Sequence, residues 1–242
     1  MKCETIAYSI GSEKYSGSLV YDETAKQPRP ALLMSPNWFG VTEAANERGR
    51  LLASFGYVVF VADMYGANRR PASFKEAPSF ANPVRENPVE ARRRIRVAYD
   101  TLVLEGTRRR LTNDRRAAVG FCFGGGNILE LARDGADVQA AVAIHGDLKT
   151  KLPADKGAVK AALLVAHGAP DPLVPKADRD AFENEMTAAG AKWQMHLFSG
   201  VLHAFTDEGA NVPGMTKYDE AATRQTYALM NAFIADAFAG RL

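Results

Sequence analysis

The stretch Val119-Gly120-Phe121-Cys122-Phe123-Gly124-Gly125 ends an apolar run that begins at Ala117 and leads into a helical pattern over 125–133. A Gly-x-Cys-x-Gly segment at a strand-to-helix junction has the form of a nucleophile elbow, with cysteine in place of the commoner serine. Such a turn strains the backbone of its central residue, so the flanking positions must be small, and Gly120 and Gly124 meet that demand. The turn also sets the sulfur at the head of a helix, where the partial positive charge favours a thiolate. A buried apolar cysteine or a phosphate-binding turn are the competing readings. The second is weak, because the segment lacks the Lys and Ser/Thr of a P-loop and a complete Gly-x-Gly-x-x-Gly.

Working outward, short apolar runs at 31–34, 57–62, 117–121, 138–144, 161–166 and 193–198 alternate with helical patterns at 42–55, 88–104, 125–133, 176–189 and 218–239. Strands that are apolar on both sides suit a parallel sheet covered on both faces by helices. The residues 4–10 and 14–21 alternate around Gly11-Ser12 and read as an antiparallel hairpin at one edge. The expected fold is therefore α/β: a mostly parallel, doubly wound sheet with an antiparallel N-terminal hairpin, in one domain over 1–242. In such sheets the chemistry sits beyond the carboxyl ends of the strands. The stretch 66–87, with Pro71, Pro78 and Pro83, reads as an irregular connection or a lid. Its Arg69, Arg70 and Arg85 read as a solvated surface or as receivers for an acidic substrate group. Arg92-Arg93-Arg94 and Arg108-Arg109-Arg110 read as a solvated helix face and a helix end.

Composition narrows the function classes. With 242 residues, 47% of them apolar, the chain can bury a sizeable core. A net charge of +2 from 30 basic and 28 acidic residues offers no long-range pull on nucleic acid or anionic membrane. No binding module for nucleic acid and no membrane-length apolar run is present. Cys3 and Cys122 are too few for a disulfide framework and lack zinc-site spacing, so a reducing cytoplasm is the expected location and no metal is expected. A small-molecule enzyme, monomeric or homodimeric, fits these bounds.

In the α/β-hydrolase fold that such an elbow implies, the partners follow in the order nucleophile, acid, histidine. Of the four histidines, His145 and His167 end strands ahead of the best acid and His196 lies inside a strand. His203 remains, in the loop after the last strand. The acid is Asp171, in His167-Gly168-Ala169-Pro170-Asp171-Pro172, directly after the run 161–166. Cys122, Asp171 and His203 thus form the expected catalytic triad. The expected oxyanion hole uses the backbone N–H of Phe123 and that of Trp38, in the loop Ser35-Pro36-Asn37-Trp38-Phe39-Gly40. Asn37, Phe39, Arg85 and Phe205 are the candidates for the substrate pocket.

These residues resemble the dienelactone hydrolase (carboxymethylenebutenolidase) family. The matching pieces are Asn37-Trp38-Phe39-Gly40, Gly56-Tyr57, Ala62-Asp63-Met64-Tyr65, Gly120 to Gly125 around Cys122, His167-Gly168 with Asp171, and His203-Ala204-Phe205, spread over nearly the whole chain. The resemblance implies cleavage of a carboxylic ester or lactone through a thioester, with no cofactor. Two positions depart from the family pattern: Asn37 stands where members carry a Glu, and Thr206-Asp207-Glu208 stands where they place an Arg that binds a substrate carboxylate. The alternative from another class is a non-catalytic relative that binds a small ligand.

Overall fold

The computed structural model describes all residues from Met1 to Leu242. Strands β1 (Lys2–Ile10) and β2 (Glu13–Tyr21) form the antiparallel hairpin, turning through Gly11 at a φ of 61°. They are followed by β3 (Arg29–Ser35), α1 (Glu43–Ser54), β4 (Val58–Val61), α2 (Ala77–Arg85), α3 (Pro88–Arg108), β5 (Thr112–Phe121) and α4 (Phe123–Arg133). The chain continues through β6 (Ala140–Ile144), β7 (Ala162–Gly168), α5 (Lys176–Ala189), β8 (Trp193–Phe198), a short hairpin of β9 (Asn211–Val212) and β10 (Thr216–Lys217), and α6 (Glu220–Phe238). The main sheet has eight strands in the order β1-β2-β4-β3-β5-β6-β7-β8. From β4 to β8 every pairing is parallel, while β2 joins β4 antiparallel.

The strand period of two divides the core. Leu33, Phe60, Ala118, Ala141, Leu163 and Val165 face one apolar cluster with α3, α4 and α5. Leu32, Met34, Val59, Val119, Val142 and Leu164 face the other, with α1 and α6. The helices start where the sequence offers caps: Thr42, Asn87 and Asp219 each accept a backbone N–H of the first turn with the side chain. Gly190, left-handed at a φ of 70°, closes α5.

Three expectations are corrected. The stretch 66–87 is not irregular throughout, because it contains α2, whose Ala77, Ala81 and Val84 are buried. Pro78 falls in its first turn, where the missing N–H costs nothing. Arg70 is not a solvated charge: its guanidinium meets the fully buried Asp63 at 3.2 Å and donates to the Val41 carbonyl at 3.1 Å. Of Arg92-Arg93-Arg94 only Arg93 is well exposed; Arg92 donates to Glu130 at 2.8 Å and Arg94 to the Met64 carbonyl at 2.7 Å. Glu130 and Glu185 in turn hold the buried Arg133 between α4 and α5. Packing α3 against α4 pairs Arg92 with Glu130 across the two helices, which a count of charges along one helix does not reveal.

Candidate active site

Cys122 sits between β5 and α4 with a φ of 53° and ψ of −124°, a region that side-chain-bearing residues enter only when the surroundings hold them there. Its N–H is shared between the Ile144 carbonyl at 3.0 Å and His145 Nδ1 at 3.1 Å. The flanking glycines are required by contact: a Cβ on Gly120 would lie 2.0 Å from the Gly124 oxygen, and one on Gly124 would lie 2.0 Å from the Ser35 oxygen. The elbow is therefore wedged against the end of β3, next to the loop that carries Trp38.

The three residues selected by chain order are brought into contact. His203 Nε2 lies 3.1 Å from Cys122 Sγ, and His203 Nδ1 lies 2.7 Å from Asp171 Oδ2. Asp171 Oδ1 accepts the N–H groups of Leu173 at 2.8 Å and Val174 at 3.3 Å, which fixes the carboxylate. All three are buried. Burial pushes the Asp171 carboxyl up, but the neighbouring His167 and His203 outweigh it and hold it well below the usual carboxylate range. Burial likewise opposes charge on His203, yet the Cys122 sulfur and Asp171 prevail and push it up to about 10. The hairpin of β9 and β10 grips the histidine's backbone: His203 N–H donates to the Met215 carbonyl and Lys217 N–H to the His203 carbonyl, both at 3.2 Å.

Two histidines set aside by chain order pack beside this chain of bonds. His145, at a φ of 38°, connects the Cys122 N–H to Thr206 Oγ1, which lies 2.8 Å from its Nε2. Its ring centre is 5.3 Å from that of His203. His167 Nε2 approaches Asp171 Oδ2 at 3.2 Å without hydrogen-bond alignment, and neither of its ring nitrogens has a hydrogen-bond partner.

Cys122 and His203 open into a cavity of about 1370 Å³ bordered by Asn37, Trp38, Phe39 and Arg85. Phe123 is the first residue of α4, so its N–H has no acceptor within the helix, and the Trp38 N–H donates to no protein group. Phe205 does not border the cavity. Ala204, at a φ of 56°, turns the chain inward, so Phe205 is fully buried against His145 and Phe198. No group of three or more His, Cys, Asp or Glu side chains is gathered to hold a metal ion. No helix is long and apolar enough to cross a membrane.

The family model for dienelactone hydrolases matches residues 17–238. The chain belongs to the dienelactone hydrolase family. It is similar to the solved structure named m3DLH, with 33% identity, a TM-score of 0.90 and 98% of each chain covered. A dienelactone hydrolase-like promiscuous phosphotriesterase from metagenomic libraries has 32% identity and a TM-score of 0.89, again with 98% of each chain covered. An Escherichia coli protein assigned as a carboxymethylenebutenolidase is 24% identical over 186 residues, 74% of this chain and 68% of that protein. Cutinase est1 of Thermobifida alba is 25% identical over 142 residues, 57% of this chain and 42% of the cutinase, so the match spans less than half of that enzyme.

This dienelactone hydrolase family member is a carboxylic ester hydrolase with two departures from the family pattern, and both fall in one cluster. The Asn37 side chain accepts the Phe39 N–H at 3.1 Å and donates to Asp207 Oδ2 at 3.1 Å. Asp207 also pairs with Arg48 at 2.6 Å, and the Arg48 guanidinium stacks on Phe121 at 4.3 Å. Arg48 is a cavity residue that the motifs do not mark. A signal was present: it lies three residues after Ala45 and four before Leu52, on the buried stripe of α1.

Proposed function

We propose that the chain hydrolyses carboxylic esters or lactones through a Cys122–His203–Asp171 triad and a thioester acyl-enzyme. The observation that carries this is the continuous chain from Asp171 Oδ2 through both His203 nitrogens to Cys122 Sγ, with separations of 2.7 and 3.1 Å. His203 Nε2, 3.1 Å from Sγ, takes the thiol proton and leaves the sulfur as nucleophile. The sulfur attacks the acyl carbon while the N–H groups of Phe123 and Trp38 receive the oxyanion. The C–O bond then breaks, and the leaving oxygen takes the proton from Nε2. Water, deprotonated by the now neutral His203, attacks the thioester; the sulfur departs, and the acid is released. Asp171 stays ionised and fixes the tautomer throughout. The chain works as one catalytic domain, with 66–87 roofing part of the cavity through Phe74 and Arg85.

Sulfur limits the range of substrates. A thiolate leaves a tetrahedral adduct more readily than an unprotonated amine does, so reversion competes with amide cleavage, while esters with phenol or enol leaving groups proceed. The test is intact-mass spectrometry after brief exposure to an activated phenyl ester, with turnover of the same ester followed in parallel. An acyl adduct on the wild type, absent from Cys122→Ala, with turnover lost in both Cys122→Ala and His203→Ala, is the expected result. Wild-type-like turnover by Cys122→Ala would overturn the mechanism. Failure of the wild type to label or turn over would favour the ligand-binding alternative, which none of the comparisons supports.

A further inference from the structure

Four large apolar side chains that remain well exposed, Leu51 at 42%, Phe74 at 49%, Leu173 at 44% and Val212 at 37%, all border the cavity that opens on Cys122. They come from α1, the 66–87 stretch, the turn after Asp171, and β9, so they are not the leftover face of one helix. Phe74 also packs edge-on against Trp38 at 4.8 Å, which joins this apolar surface to the loop carrying the Trp38 N–H. Apolar side chains from four separate segments, gathered around a concave space that ends at a nucleophile, define a surface that an apolar ligand would cover.

The charges of the wall point the same way. Its two arginines are already taken: Arg48 meets Asp207 at 2.6 Å and Arg85 meets Asp147 at 2.6 Å. The Asn37 amide adds a second donor to Asp207. Glu47 is balanced by Arg50 outside the cavity, and Glu208 forms no ion pair. A substrate carboxylate would meet arginines whose charge an aspartate already offsets, in a space also bordered by Glu47 and Glu208. The four acids outnumber the two arginines, and like charges repel in a partly desolvated site.

We infer that this site takes neutral esters or lactones with a bulky apolar group and discriminates against substrates that carry a carboxylate, with the Arg48–Asp207 and Arg85–Asp147 pairs setting that preference. The inference rests on the ester-hydrolase reading above. A volume of about 1370 Å³ accommodates an aromatic ring together with its leaving group, and the apolar rim lowers the free energy of that complex in proportion to the area it covers. The two ion pairs hold the cations that would otherwise attract an anionic substrate.

The experiment compares kcat/KM for three para-nitrophenyl esters that share one leaving group: the acetate, the phenylpropanoate and the hydrogen succinate. The phenylpropanoate is expected to exceed the hydrogen succinate by about tenfold or more, and to exceed the acetate. Asp147→Asn, which frees Arg85, is expected to narrow the first ratio by about threefold, with a change that raised salt diminishes. Leu173→Asp should lower the phenylpropanoate rate more than the acetate rate. Equal or faster turnover of the hydrogen succinate by the wild type overturns the inference while leaving the hydrolase reading intact. A ratio that Asp147→Asn leaves unmoved removes the Arg85–Asp147 pair from it. No turnover of any of the three overturns both readings.

Discussion

His145 Nδ1 accepts the backbone N–H of Cys122 at 3.1 Å, and the opposite nitrogen of the same ring lies 2.8 Å from Thr206 Oγ1. A nitrogen that accepts carries no proton, so the proton sits on Nε2 and is donated to Thr206. The ring thereby ties the strained backbone of Cys122 to the loop that carries His203, three residues before Thr206. Burial is the largest influence on this ring, followed by the charge of His203; both push its pKa well below the usual range and hold it neutral.

Replacing His145 by Leu removes the acceptor while keeping an apolar side chain of comparable bulk. The expected outcome is a fall in kcat of about tenfold or more with little change in KM, because the damage is to the placement of the sulfur. Asn tolerates a positive φ and its Oδ1 can accept the Cys122 N–H, so His145→Asn should recover part of the loss. Steady-state kinetics on the three proteins checks this, and equal losses in Leu and Asn variants would assign His145 a packing role alone.

The same ring predicts an acid-sensitive stability. A histidine whose pKa is lowered in the folded state binds fewer protons there than in the unfolded chain, so stability is present above the unfolded value near 6.5 and is lost as pH falls below it. Melting temperatures from pH 7 down to 5 should drop more in the wild type than in His145→Asn.

His203 predicts the opposite limb. Its pKa is raised to about 10, so its contribution is fully present below the unfolded value of 6.5 and disappears as pH rises through about 10. Melting temperatures measured from pH 6.5 to 10 should therefore decline more steeply in the wild type than in His203→Gln. Parallel curves would mean that the imidazole carries no raised pKa.

Glycines at different positions should differ in cost. A Cβ on Gly124 would lie 2.0 Å from the backbone oxygen of Ser35, so Gly124→Ala requires the end of β3 to move and should cost about 3 kcal/mol. Gly157 has nothing within 4 Å of its added Cβ but a φ of 78°, so Gly157→Ala should cost only about 1 kcal/mol. Urea denaturation of the two variants provides the comparison.

Arg133 is buried between Glu130 and Glu185, whereas Arg93 lies largely in solvent beside Glu90. Removing the cation with Arg133→Met strands Glu185 and leaves Glu130 with Arg92 alone, and should cost about 3 kcal/mol. Arg93→Ala should cost less than about 1 kcal/mol. The same denaturation experiment distinguishes them.

Much of this was legible in the sequence. The runs at 117–121 and 161–166 mark strands because they are apolar on both faces, and the glycines around Cys122 mark the elbow because a larger residue would meet backbone there. Chain order then singled out Asp171 and His203. Parallel pairing even contained a clue to His145: Phe121 lies beside Ile144 in the register, so the next residues, Cys122 and His145, are neighbours. Chain order points elsewhere, because it selects the histidine that follows the acid and not the one that abuts Cys122. Phe205 was misplaced because the turn at Ala204 depends on how the loop folds back, which no local pattern records. Arg92 and Arg48 were unreadable as partners because each pairs with a residue distant in sequence, and Arg70 because its approach to the nearby Asp63 depends on how the loop after β4 folds back. The amino-acid sequence alone determined the sheet, the elbow and the choice of Cys122, Asp171 and His203 as the proposed triad, since these follow from periodicity, from the steric demands of one turn and from chain order. Only the tertiary structure decided that the cavity's arginines are paired with aspartates and that a second imidazole bonds the Cys122 backbone, because ion pairing and burial are properties of residues brought together by packing.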